Sequence, residues 1–305
     1  MENSKNTKTN NGQIVTCRSI KERNDRRRKI VFDSVTFVLL TCFALLYMMP
    51  IAAVIMNSFK KKTFLMQGKG NTFELLNKES WNGFKNYVEG AEAIKILDAI
   101  KVSAIITVVS VIIIVLLTSM TAWYLTRVKS KITSIIYYGF VFSMIVPFQM
   151  VMYTMASFAS MLGLNTSTGL IVLYVGFGSG MCVFMFSGFV KAIPYDVEEA
   201  AMIDGCSPLQ TYFRVVMPML KPTMVTIAIL EAMWVWNDYL LPKLVLPTEV
   251  KTIPIAIDAC TGSHGTYQLG WLMAMLVIAI IPIIVFYLSC QKYIIKGVAA
   301  GAVKG

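Results

Sequence analysis

Charged residues and histidine are scarce in this chain of 305 residues. Lys, Arg, Asp and Glu make up 15% of the sequence, and there is one His, whereas soluble domains usually contain about a quarter charged residues. The mean hydropathy is +0.64, and several long stretches contain no charge at all. This composition excludes an ordinary soluble domain and indicates a membrane protein.

The sequence motifs of common catalytic and metal sites are also missing. There is no G-x-x-x-x-G-K-[ST] loop, so nothing indicates that this chain binds ATP by itself. His264 has no HExxH context, and the six Cys show no CxxC spacing. No nucleophile can be matched with a base. We therefore expect no catalytic residue, no metal site and no bound cofactor, which leaves transport or a structural role in the membrane.

Long apolar runs predict six membrane spans. A span needs about 20 consecutive apolar residues, and the stretches 102–126 and 265–291 reach this length without a charge. The charge-free stretch 132–190 is long enough for two spans, and "GLNTSTG" (163–169) is a turn-forming cluster that divides it. The predicted spans are about 31–56, 102–125, 132–154, 168–190, 222–242 and 269–291.

The distribution of Lys and Arg places both termini in the cytoplasm. All seven Arg lie in segments on that side, and the first 30 residues are rich in basic side chains. We expect residues 1–30 to form a disordered basic tail and residues 292–305 to form a second cytoplasmic tail. The net charge of +11 is interpreted as a topology signal and as contact with anionic lipid, not as nucleic-acid binding. The predicted fold class is an all-α polytopic membrane protein.

A polar stretch, residues 194–218, separates the fourth and fifth spans on the cytoplasmic side. Asp196 and Glu199 have the spacing of a capping box and predict a short helix over 197–204. Gly205 follows, as expected for a left-handed helix cap. The first helix presents acidic residues, which anionic lipid repels and a basic protein partner attracts.

A second short helix is predicted directly after this turn. Ser207 and Pro208 have the residue types of a helix cap and first position. The apolar residues then recur at helical spacing and form one stripe, namely Leu209, Tyr212, Phe213 and Val216. Pro218 and Pro222 are expected to close the unit before the fifth span. From the residues alone, an interfacial helix on the membrane and a docking element for a protein remain equal alternatives.

The residues of this unit resemble a known signature. "EAAMIDG" followed by "VVMP" has the spacing E-A-A-x3-G-x9-[IV]-x-[LM]-P, which is similar to the cytoplasmic signature of permease subunits in ATP-binding-cassette importers. Further segments resemble that family in the same order: "WNGFKNY" (81–87), "AWYLTR" (122–127), "MIVPFQ" (144–149), "WVWNDYLLP" (234–242) and "QKYIIKGVAAGAVKG" (291–305). The resemblance covers about residues 30–305. It is greatest to the carbohydrate branch and to its MalG-like second permease, rather than the MalF-like first.

The resemblance implies an importer with several partners in a bacterial plasma membrane. They are a companion MalF-like permease, two ATPase subunits that bind ATP and Mg, and an extracellular solute-binding protein. The unit Glu198–Pro218 would couple the permease to an ATPase. Glu199 would pair with a basic residue of the ATPase, and Leu209 would pack on the permease or in the ATPase cleft. The implied coupling residues are Glu198, Glu199, Ala200, Ala201, Asp204, Gly205, Leu209 and Pro218.

The fifth span contains a second group of candidate residues. Glu231 lies near the middle of this span, and Glu231, Trp234 and Asp238 fall on one helical face. Intramembrane acids often mark a transport pathway, and carboxylates beside an indole suit a sugar. With Asn237, these residues are candidates for a pathway or gate. A packing role, or an interfacial position for the Trp residues, remains the alternative.

The predicted function is therefore a permease subunit of an ATP-driven sugar importer, with an oligosaccharide as the expected solute. An importer for another solute, such as a sugar phosphate, remains an alternative, although a phosphate would favour basic pathway residues. An ion-driven secondary transporter is a further alternative, because it would use intramembrane acids for protons. The sequence does not identify the sugar.

Overall fold

The computed structural model describes the backbone of residues 3–66, 73–261 and 268–302, and the side chains of 28–66, 73–261 and 268–291. His264 lies outside the described residues. The helices are α1 (Asn3–Ser58), α2 (Lys62–Met66), α3 (Lys85–Ile94), α4 (Ile96–Arg127), α5 (Lys131–Ile145), α6 (Phe148–Met161), α7 (Ser167–Val190), α8 (Tyr195–Ile203), α9 (Pro208–Thr211), α10 (Met217–Asn237), α11 (Leu240–Val245), α12 (Ile253–Asp258) and α13 (Leu269–Ala302). A π-helical segment, Tyr212–Val216, joins α9 to α10.

Five helical segments of the described chain are long and apolar enough to cross a membrane. They are Arg28–Ser58, Ile96–Arg127, Ser167–Val190, Pro208–Asn237 and Leu269–Gln291. The pair formed by α5 and α6 makes a sixth if it is counted as one bent span. The all-helical class and the six-span count are therefore confirmed, with the third span broken.

The first helix differs from the prediction at its N-terminal end. Residues 1–30 are expected to be disordered, yet α1 runs without interruption from Asn3 to Ser58. Extending an existing helix costs far less free energy than starting a new one, and the apolar stretch that follows provides the start. The segment 3–30 contains no Pro that would stop this extension.

The single third span predicted over 132–154 is wrong. α5 ends at Ile145, and α6 begins at Phe148 at an angle of 106° to it. Pro147 disfavours helical dihedrals at the residue before it, and Val146 is accordingly extended, with φ −72° and ψ 117°. The turn predicted at 163–169 is present, because α6 ends at Met161 and α7 begins at Ser167.

The core of the chain is centred on α4 and α7, with α5 and α10 packed against them. Its fully buried side chains include Ile114, Phe186 and Ile227. α5 approaches α7 closely at Gly180, where an added Cβ would lie 2.6 Å from Ser143 Oγ. A smaller apolar cluster at the other end of α4 joins α3, α12 and α13.

The fifth span begins earlier and ends sooner than the predicted 222–242. The expectation that Pro218 and Pro222 close the preceding unit is wrong, because the helix continues through both. The π segment explains the continuity at Pro218. Met217 N–H donates to Tyr212 O, five residues back, and the wider turn accommodates a proline ring that would clash with a regular helical turn. The span ends at Asn237, since Asp238 adopts an extended conformation with ψ 126°.

Candidate functional site

The two short cytoplasmic helices meet at Gly205, as predicted. Gly205 has φ +85°, a conformation that disfavours residues with a Cβ. Its N–H donates to Met202 O at 3.1 Å, and Cys206 N–H donates to Ala201 O at 3.0 Å, which is the hydrogen-bond pattern of a Schellman cap. An added Cβ at Gly205 would meet no atom of this chain within 4 Å. The need for glycine here is therefore conformational.

Of the two helix-capping boxes predicted on either side of Gly205, one is present and the other is not. The capping box at Ser207 is present, because Ser207 N–H donates to Gln210 Oε1 and Gln210 N–H donates to Ser207 Oγ. The box predicted for Asp196 is wrong. α8 begins directly after Pro194, which makes no side-chain cap hydrogen bond.

Glu198 differs most from the prediction within this unit. It is expected to face an ATPase, but 2% of it is exposed, and its carboxylate is bound by side chains of α4. Arg127 donates to Oε1 from Nε at 3.0 Å and from Nη2 at 2.7 Å. Trp123 Nε1–H donates to Oε2 at 3.0 Å. Both carboxylate oxygens are therefore bound by the cytoplasmic end of α4.

Arg127 also binds the end of α7, in addition to Glu198 on α8. Its Nη2 also donates to Val190 O at 3.2 Å and Ile193 O at 2.9 Å, at the end of α7 and just beyond it. Cations are favourable at a helix C-terminus, where carbonyl groups lack partners within the helix. The guanidinium carbon also lies 5.7 Å from the Tyr195 ring centroid. Arg127 thus joins the ends of α4 and α7 to α8.

A second contact joins α4 to the π segment. Tyr212 is fully buried, and its hydroxyl lies 2.6 Å from Ser119 Oγ in a hydrogen bond that either group can donate. Its ring lies 5.5 Å from the Trp123 ring. The predicted apolar stripe therefore divides: Tyr212 and Val216 pack into the core of the chain, whereas Leu209 and Phe213 are 59% and 49% exposed.

The remaining predicted coupling residues form an exposed surface. Ala201 is buried and packs inward. The coupling surface is defined here as seven exposed residues of α8, α9 and their flanking segments, which are Glu199, Ala200, Ile203, Asp204, Gly205, Leu209 and Phe213. It combines two acidic side chains with large apolar ones, and Ile203 is 79% exposed. Pro218 is also exposed, but it lies inside α10 and contributes to helix geometry.

Glu231 lies inside the helix bundle of this chain. It is 1% exposed, and its Oε1 accepts a hydrogen bond from Cys182 Sγ at 3.1 Å. Its Oε2 has no hydrogen-bond partner in the described part of the chain. An added Cβ at Gly178 would lie 2.8 Å from this oxygen and 3.1 Å from Ile114 Cδ1. The carboxyl group is thus packed between α4, α7 and α10, which favours the packing role over contact with a solute.

Trp234 and Asp238 form a separate contact with α7. Tyr174 O–H donates to Asp238 Oδ2 at 2.9 Å, and the Tyr174 and Trp234 rings lie 5.4 Å apart, edge to face. Asp238 Oδ1 accepts from Leu240 N–H. Because α10 ends at Asn237, Asp238 is not part of the helix and does not share a helical face with Glu231 as predicted. Asn237 is exposed beside this contact.

Sequence reasoning did not identify several residues that organise these sites: Trp123, Arg127, Tyr174 and Cys182. One signal was available, because the segment "AWYLTR" places an indole and a guanidinium on one helical face at the membrane boundary. The sequence did not indicate that Cys182 contacts Glu231, since a lone Cys in an apolar span is usually an ordinary core residue. Within the described residues, no group of three or more His, Cys, Asp or Glu is placed to hold a metal ion.

A family profile and two curated relatives all relate this chain to membrane subunits of transport systems. Residues 114–300 match the profile of a family described as binding-protein-dependent transport system inner membrane component. A probable permease for starch degradation products, AmyC of Thermoanaerobacterium thermosulfurigenes, is 39% identical, with 86% of this chain and 93% of AmyC covered. The multiple sugar-binding transport permease MsmG of Streptococcus mutans is 33% identical, with 88% and 96% covered.

A solved structure shows the same fold. A chain of a bacterial ABC transporter involved in alginate import superposes with a TM-score of 0.61 at 14% identity. The superposition covers 88% of the present chain and 98% of the alginate importer's chain.

Proposed function

Because the chain belongs to the family of binding-protein-dependent transport system inner membrane components, we propose that it is a permease subunit of an ATP-driven sugar importer. It forms the translocation pathway with a companion MalF-like permease. A solute-binding protein delivers the sugar from outside, and two partner ATPase subunits bind ATP and Mg. The names of the relatives support a sugar, and the family supports the membrane location.

The arrangement of two adjacent glutamates carries the proposed coupling mechanism. Glu199 is exposed on the coupling surface, whereas the neighbouring Glu198 is buried and bound to Arg127. One side of α8 is thus available to a partner, and the other is fixed to a membrane-spanning helix. An ATPase that moves while docked on the coupling surface pulls α4 and α7 with it through Arg127.

This linkage suits alternating access. Closure of the two ATPase subunits on ATP moves the docked α8–α9 units as rigid bodies, and the spans follow between inward-facing and outward-facing states. Tyr212 adds a second attachment to α4 through Ser119. Two separate attachments resist rotation of the unit about either one, so displacement of the unit is transmitted to the span.

The nature of the solute is supported by charge as well as by the relatives. In the part of the chain that the structure describes, Glu231 is an intramembrane acid and pairs with no basic side chain. An anionic sugar phosphate requires basic groups along its route. A neutral oligosaccharide needs hydroxyl partners and apolar surface, and both occur at the outer end of α10.

Uptake into vesicles tests the proposal. The importer is reconstituted with its companion permease, ATPases and binding protein, and accumulation of radiolabelled maltotriose and raffinose is measured. We expect uptake that requires internal ATP and persists when ionophores collapse proton and sodium gradients. Uptake that follows an ion gradient without ATP would identify a secondary transporter. Competition by a sugar phosphate, with no uptake of neutral sugars, would identify the alternative solute class.

A further inference from the structure

A cavity of about 450 Å³ lies at the end of α10 opposite the coupling unit. Its walls come from α10, α12 and α13. The apolar part of the lining includes Ile257, Leu276 and Ile280, whereas polar groups lie on one side. Small-molecule sites have this size and this mixture of apolar walls with a few placed polar groups.

Two polar residues that line the cavity, Tyr239 and Asp258, are connected by a hydrogen bond, and Lys243 joins them from the neighbouring helix α11. Tyr239 O–H donates to Asp258 Oδ2 at 2.9 Å, and Lys243 Nζ donates to the same oxygen at 3.2 Å. The hydrogen bond to Asp258 raises the pKa of the Lys243 ammonium, so this group remains charged at neutral pH. Both contacts use Oδ2, which leaves Asp258 Oδ1 available as an acceptor among the described residues.

Trp236 and Asn237 bound the cavity from α10. The partly exposed indole of Trp236 provides a flat apolar wall. Asn237 Nδ2 donates to Met233 O at 2.7 Å, and this contact leaves its side-chain oxygen as a second acceptor. An aromatic wall and two acceptor-bearing side chains therefore line one space, and the Lys243 ammonium binds one of those side chains, Asp258.

We propose that this cavity is a sugar-binding subsite at the outer mouth of the permease. One pyranose ring packs its apolar face on Trp236, and its hydroxyls donate to Asp258 Oδ1 and Asn237 Oδ1. Carboxylate and amide oxygens accept such hydrogen bonds. The negative charge of Asp258 is already balanced by Lys243, so a neutral sugar can bind without bringing a charge of its own. The proposal rests on the proposed function, and it assigns solute contact to Trp236 and Asp258 in place of Glu231 and Trp234.

Saturation-transfer NMR on the assembled importer in nanodiscs, without binding protein or ATP, tests this subsite. The probes are maltotriose and raffinose, and the measured quantity is magnetisation transferred to sugar ring protons. We expect transfer to the wild type and a roughly fivefold loss in Trp236→Leu, because aromatic contacts are worth about 1 kcal/mol beyond their buried area. Asp258→Asn keeps an acceptor and loses the ion pair with Lys243, so we expect a smaller loss.

Two matched variants control for nonspecific effects. Trp81→Leu removes another exposed indole that stacks on Phe59 and lies outside the cavity. Asp98→Asn removes another exposed carboxylate, paired only with Lys101 among the described residues. Both should leave the transfer at the wild-type level.

The possible results test the subsite and the proposed function independently of each other. Equal transfer in wild type and Trp236→Leu, or no transfer from either probe, overturns the subsite whatever the uptake assay gives. Trp236-dependent transfer without ATP-driven uptake supports the subsite and contradicts the proposed function.

Discussion

Arg127 and Glu198 form a buried ion pair that fixes α8 to the end of a membrane span. Arg127 Nη2 and Glu198 Oε1 lie 2.7 Å apart, and the two side chains are 17% and 2% exposed. Exposed ion pairs contribute little to stability, whereas removing one partner of a buried pair leaves an uncompensated charge. The pair therefore acts as a stabilising joint, and its two residues should behave as one unit.

A double-mutant cycle should reveal this joint. Arg127→Leu and Glu198→Leu should each destabilise the assembled importer, Arg127→Leu by roughly 3–5 kcal/mol because it leaves a buried carboxylate unpaired. The double variant should lose less than the sum of the two single losses, since it buries no lone charge. Thermal unfolding in detergent measures all three variants. Strictly additive losses would show that the two side chains do not interact.

The two adjacent glutamates should give opposite phenotypes. Glu198→Gln removes the charge that Arg127 binds, so we expect a lower melting temperature and reduced assembly. Glu199→Gln changes an exposed side chain, so we expect normal thermal stability, reduced affinity for the ATPase and weaker stimulation of ATP hydrolysis by the binding protein. Exchange of these two phenotypes would mean that α8 presents its other face to the ATPase.

Gly205 should be essential for coupling rather than for folding. Gly205→Asp should abolish uptake while the protein remains in the membrane, because a charged side chain enters open space on the coupling surface. Gly163→Asp is the matched control. Gly163 also has a positive φ, +69°, and open space around its Cβ position, but it lies between α6 and α7. Both changes have a similar backbone cost, and only Gly205→Asp should stop transport.

Normal uptake by Gly205→Asp would contradict the docking role of this turn. Equal loss of membrane protein in both variants would show that the backbone conformation, and not the docking surface, limits function. Immunoblots of membrane fractions together with uptake assays distinguish these results.

Spans and turns were predictable because their causes are local in the sequence. Run length identified the spans, and "GLNTSTG" identified the turn before α7. The continuity of the helix through Pro218 was not predictable. Pro147 breaks a span and Pro218 does not, because the second follows a π turn whose Tyr212 is anchored to Ser119. That anchor joins residues far apart in the chain.

The roles of Glu198 and Glu199 were indistinguishable from the sequence for a similar reason. Which glutamate is buried depends on which face of α8 meets α4, and Arg127 lies 71 residues before Glu198. The resemblance singled out the segment that folds as α8 and α9. It did not indicate that one of its acids binds within the permease, which requires the packing of three helices.

The contact between Gly178 and Glu231 gives a final prediction. An added Cβ at Gly178 would lie 2.8 Å from Glu231 Oε2, closer than real Cβ contacts allow. Gly178→Ala should therefore push α10 away from α7 and destabilise the importer by about 1–3 kcal/mol, as overpacking of a core usually does. Gly176→Ala is the matched control, because its Cβ would meet nothing within 4 Å and alanine favours the helix.

The same pair of variants distinguishes packing from solute contact at Glu231. If Glu231 packs the bundle, Gly178→Ala lowers the melting temperature, and Glu231→Gln leaves the half-saturating sugar concentration for uptake unchanged. If the carboxyl group contacts the solute, Glu231→Gln raises that concentration while Gly178→Ala leaves stability intact. The burial of Glu231 and its hydrogen bond from Cys182 favour the first result, and Glu231 is not among the residues that line the two cavities beside Trp236.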